Sequence, residues 1–119
     1  LKSPYPLARG GLGIALWQSG KAEEGIEHLR AAAADLPRRV SLRLALARAL
    51  LERNLVAEAA AEAEAAREVE PDNGLVYHIL AAAAMAREAR ARRYELSAEL
   101  RAKLDAGASP EAGNQGGSP

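Results

Sequence analysis

The chain has 119 residues, with sixteen basic and sixteen acidic side chains, no cysteine and no phenylalanine. A formal net charge of zero argues against nucleic acid as a partner, since that needs a strong positive field, and the missing cysteine excludes disulfides and thiolate metal sites. No run approaches the roughly 20 apolar residues of a membrane-spanning helix, so no membrane insertion is expected, and nothing in the composition assigns a compartment.

Alanine is by far the commonest residue, which favours closely packed helices, and no stretch alternates long enough to form a half-buried strand. The first residue, Leu1, is not Met, which reads as an excised domain or a processed product. After a short lead-in, residues 1–5, the first helix is expected from Pro6 to Ser19, because a proline loses nothing in a first helical turn. Gly20 then offers the left-handed backbone that ends a helix. A second helix follows from Ala22 to Asp35, and Pro37 stops it.

The same punctuation recurs 34 residues later. Helices are expected from Val40 to Arg53 and from Val56 to Glu70, with Asn54 at the place of Gly20 and Pro71 at the place of Pro37. In this register Leu12 falls on Leu46, Leu16 on Leu50, Ala32 on Ala66, and Gly13 and Gly25 on Ala47 and Ala59. Repeats of this length mark stacked helix pairs, because one pair alone cannot bury its apolar face. The units are therefore 6–39 and 40–73, with Gly13 at a close approach of two helices.

A third unit, 74–105, begins in register, with Leu80 and Ala81 matching Leu46 and Ala47, and then departs. Glu88 stands where Gly20 and Asn54 stood, and no Gly, Pro or Asn occurs from Leu75 to Leu104. One long helix is expected there, straight or kinked, with Leu96, Leu100 and Leu104 along one side. Residues 106–119 are rich in Gly, Ser and Pro and are expected to be a disordered tail.

The segments Leu12 to Pro37 and Leu46 to Pro71 resemble the tetratricopeptide repeat. In the first, Leu12, Gly13, Leu16, Gly20, Leu29, Ala32 and Pro37 carry the likeness, with Gly25 replacing the usual Ala. In the second it is carried by Leu46, Ala47, Leu50, Asn54, Ala59, Ala66 and Pro71, with Ala63 smaller than the family's residue there. With the half repeat from Gly74, the resemblance covers about three-quarters of the chain.

The resemblance implies an all-α, right-handed solenoid of antiparallel helix pairs, here ending in a long C-terminal helix. It implies a concave groove lined by the first helix of each pair, and a partner that is another protein or peptide segment. On that geometry the groove presents Ile14, Trp17 and Gln18, then Leu44, Arg48 and Leu51, then His78 and Met85. The surface is mostly apolar, and the bland alternative is that Trp17, Leu51 and Met85 are core or lie under a neighbouring repeat. Some family members hold a C-terminal carboxylate with Lys, Asn and Arg in the groove, but Gly10, Ile14, Ala45, Leu75 and Ile79 occupy those places here, so that clamp is absent.

No catalytic chemistry, cofactor or metal is expected. His28 and His78 are the only imidazoles, and neither has a second His or paired carboxylates at helical ligand spacing. The run from Arg9 to Gly13 is glycine-rich, yet no strand precedes it and no Lys-Ser or Lys-Thr follows. The remaining features are charges. Arg87, Arg90, Arg92, Arg93, Arg101 and Lys103 make the last helix basic, and Glu58, Glu62, Glu64, Glu68 and Glu70 make the helix from Val56 acidic. A solvated surface is the ordinary reading of both. The alternative functions are self-association, with the long helix supplying the missing half of the third repeat to another copy through Leu96, Leu100 and Leu104, or a non-catalytic domain of a larger enzyme.

Overall fold

The computed structural model describes residues 4–107. It contains five helices: α1 Pro6–Gln18, α2 Ala22–Asp35, α3 Val40–Glu52, α4 Val56–Val69 and α5 Gly74–Gly107. Every expected helix boundary lies within a few residues of the observed one. The helix expected to end at Leu104 continues through Ala106 and Gly107, so the first two residues of the anticipated tail are helical. The rest of that tail lies outside the described residues, as does most of the lead-in.

The two turns within the repeats close as the shared Gly and Asn require. Gly20 has φ +95° and Asn54 φ +62°, and these are the positive-φ positions of the described chain. In each turn the amide after that residue reaches back to the helix: Lys21 N–H donates to Leu16 O at 2.8 Å, and Leu55 N–H donates to Leu50 O at 2.9 Å. This bonding satisfies carbonyls that a helix end otherwise leaves unpaired. Glu88 lies inside α5, and the chain makes no turn there.

The turns between repeats are also built twice, with different atoms. Arg43 Nε–H donates to Pro37 O at 2.7 Å, and Tyr77 O–H donates to Pro71 O at 2.6 Å, the two donors occupying one repeat position. Asn73 Oδ1 further accepts the Leu75 N–H at 3.0 Å and so begins α5.

α1 packs on α2, α3 on α4, and α2 joins the two pairs. Small residues set the closeness of the first pair: a Cβ on Gly13 would stand 2.9 Å from Gly25 O. The core runs from Ile26 and Leu29 through Leu46, Ala47 and Leu50 to Ala63 and Ala66, and it takes in Val76 and Ile79 of α5. Among the described residues three ion pairs between helices brace the outside. Arg30 holds Glu58 through two bonds of 2.7 and 2.8 Å, Arg43 meets Glu62 at 2.9 Å, and Arg53 meets Glu23 at 2.7 Å. The hydrogen bonds that the Arg30 guanidinium donates to Glu58 raise its pKa. The solvent-exposed pairs Arg30–Glu58 and Arg53–Glu23 contribute about 0.2–1 kcal/mol each.

α5 divides between two units, one ending at Met85 and one starting at Ala86. In the first, Val76, Ile79 and Ala83 are buried. In the second, residues 87–107 are exposed throughout, with Leu96, Leu100 and Leu104 at 58–64%.

Candidate partner-binding groove

The first helices α1 and α3 bring two of the expected groove residues together. Trp17 is half-buried against the core, and its indole N–H donates to Glu52 Oε2 at 2.6 Å. The Arg48 guanidinium lies 5.4 Å from the centroid of the same ring, close enough for a cation–π attraction of about 0.5–1 kcal/mol. The indole is thus held from its edge by a carboxylate and over its face by a cation. Ile14 and Leu51 pack beside the core and remain partly open, while Gln18 and His78 are exposed. Met85 is 69% exposed.

Leu44 requires a correction. It is only 3% exposed and belongs to the core cluster, because α3 lies between helix pairs and has little outward surface. Its remaining edge forms part of the floor of a cavity of about 910 Å³. The walls come from the α2–α3 turn with Arg38 and Arg39, from Ser41, Ala45 and Arg48 of α3, and from Leu75 at the start of α5. Arg48 therefore joins the cavity to the Trp17 cluster. His78 and Met85 do not line it.

Sequence reasoning missed Glu52 and the turn arginines. Glu52 could have been found, since it lies 34 residues beyond Gln18 and so shares its groove position. Arg38 and Arg39 carry no such signal, because the groove was expected on helices alone.

The other singled-out polar residues fall elsewhere. His28 Nδ1 accepts a hydrogen bond from Arg9 Nε–H at 3.2 Å, a contact between α1 and α2. Gly13 packs against α2, as its place in the repeat required. Among the described residues no three of His, Asp and Glu converge as a metal site would require, and no helix is long and apolar enough to cross a membrane.

Tandem helix pairs in a 34-residue register, turned by Gly20 and Asn54 and closed by Pro37 and Pro71, define a helical-repeat solenoid. The chain belongs to the tetratricopeptide repeat family, whose model matches residues 16–87. No curated protein and no solved structure matches it. Repeats of this family generally mediate protein–protein interaction and are typically non-catalytic scaffolds.

Proposed function

We propose that the chain captures a segment of a partner polypeptide along α1 and α3, with Trp17 as the anchor. The observation that carries this reading is the held indole: Glu52 and Arg48 fix a large aromatic ring beside the partly open Ile14 and Leu51. A ring already fixed in place loses little conformational freedom when a partner docks on it. The adjoining cavity, reached past Arg48, is large enough for an apolar side chain of the bound segment. His78 and Met85 extend the surface along the first part of α5, and Gln18 flanks the anchor on α1.

Peptides selected from a displayed random library on the wild-type chain test this. Trp17→Ala should weaken those peptides about thirtyfold, or 2 kcal/mol, the effect of removing a dominant aromatic anchor. Glu68→Lys, on the exposed side of α4, should leave them unchanged, and circular dichroism should show equal helicity in both variants. Selected peptides indifferent to Trp17→Ala and abolished by Glu68→Lys would refute the groove.

A further inference from the structure

The unit that starts at Ala86 is one helix as far as Gly107, and its residues from Arg87 onward are all exposed. At about 100° per residue, Leu96, Leu100 and Leu104 fall within about 80° of one another, and Ala89 lies on the same strip. Arg90, Arg92, Arg93, Arg101 and Lys103 all fall on the half of the helix centred on that strip. Glu88, Glu95, Glu99 and Asp105 all fall on the other half, together with Arg87 and Tyr94. The leucines are therefore surrounded by cations, and no carboxylate shares their half. We infer that this face docks an amphipathic helix of another protein, one whose own apolar strip is flanked by Asp and Glu.

Glu88 with Arg92, and Glu99 with Lys103, have the i, i+4 spacing at which opposite charges attract. Yet among the described residues none of the five cations on the leucine half is held in an ion pair, whereas Arg30, Arg43 and Arg53 of the repeats are each engaged by a glutamate of a neighbouring helix. A leucine strip bordered by such cations is complementary to an apolar strip bordered by carboxylates. The leucines leave water against the partner's apolar side chains, and each cation gains a counter-charge at the rim, which sets the choice of partner. Arg93 lies within the strip itself; its aliphatic stem extends the apolar contact while its guanidinium reaches the rim. From Ala89 to Leu104 the strip runs roughly 22 Å, about four turns of a docked helix.

The same sorting of charge argues against the other occupants. Two copies of this face brought together would set cations against cations, which opposes self-association through the leucines. A bilayer surface takes up a broad face of large apolar side chains, whereas this strip holds three leucines with Arg93 among them. Single-stranded nucleic acid is gripped by aromatic rings placed between the cations, and Tyr94 lies on the other half of the helix. A polypeptide partner also agrees with the general role of this repeat family in protein–protein interaction.

A displayed library of helical peptides, selected on the full chain and depleted on its Leu100→Asp variant, tests this surface without calling on the groove. The survivors should carry an excess of Asp and Glu beside Leu, Ile or Met at helical spacing, and their binding should weaken as salt is raised. Arg93→Glu should raise their dissociation constants roughly tenfold or more, the loss typical of reversing a charge at a complementary contact. Trp17→Ala and Ala98→Gln, the latter on the other half of the helix, should leave them within about twofold. Circular dichroism should show equal helicity in all the variants, since the substituted residues of this helix are exposed. Survivors that are neutral or basic, no survivors at all, or acidic survivors indifferent to Arg93→Glu would overturn the assignment. So would a chain that sediments as a dimer dissociated by Leu100→Asp, or one that binds phosphatidylserine vesicles or a single-stranded oligonucleotide through Leu100 and Arg93.

Discussion

Truncating Leu46 to alanine is expected to cost about 2–5 kcal/mol, whereas the same change at Leu12 should stay within about 0.5 kcal/mol. The two leucines occupy one position of the repeat, 34 residues apart, so sequence context alone gives them equal weight. Their surroundings differ. Leu46 is 1% exposed and sits beside Ala33 and Ala34 of the preceding helix pair. Leu12 is 49% exposed, because no described helix precedes the first pair. Removing a side chain from a packed site loses its burial and leaves a cavity, whereas an exposed side chain loses little. Urea unfolding midpoints of the two variants, at equal slopes, check this. Equal losses would mean that burial at this position does not come from stacking on the preceding repeat.

Gly25→Ala should also destabilise, by about 1–3 kcal/mol, the usual cost of overpacking, and the sign is what makes it informative. In a helix interior alanine is ordinarily better than glycine by about 1 kcal/mol. Here the added Cβ would stand 2.6 Å from Gly13 O and 2.8 Å from Trp17 N, both backbone atoms that cannot rotate aside. The helices of the first pair would have to separate, and Gly13→Leu should fail from the other side for the same reason. Gly11 provides the control. It lies in the same helix as Gly13, and a Cβ added there would meet nothing within 4 Å, so Gly11→Ala should stabilise by about 0.5–1 kcal/mol. Thermal midpoints should therefore move in opposite directions, Gly25→Ala down by several degrees and Gly11→Ala up by a few. A rise for Gly25→Ala would show that the first pair is looser than its contacts indicate.

The repeat architecture was legible because it is written in residues whose backbone preferences are strong. Proline cannot continue a helix, and Gly20 and Asn54 tolerate the left-handed turn that both adopt. The long last helix was legible for the complementary reason, the absence of such residues from Leu75 to Leu104. The groove was legible only in part. Its positions on the first helices follow from the repeat, but whether a side chain there stays open depends on neighbours that periodicity does not reveal. Leu44 is drawn into the core while Met85, a few turns along the third first-helix, is left outside it. The contacts that fix Trp17 combine α1 with α3, 31 and 35 residues away along the chain, and no local pattern points to that convergence.

The chain contains a single tryptophan, and its position gives the molecule a built-in optical reporter. The indole N–H is bonded to the Glu52 carboxylate while the Arg48 cation rests over the ring, so emission on excitation at the red edge of the absorption band comes from one site between α1 and α3. Opening that junction would strip both neighbours away and expose the ring to water, shifting the emission to longer wavelength. A ligand settling over the indole would exclude water and shift it the other way. Unfolding and occupancy therefore move the same fluorophore in opposite spectral directions, and the two events can be told apart in the unlabelled protein.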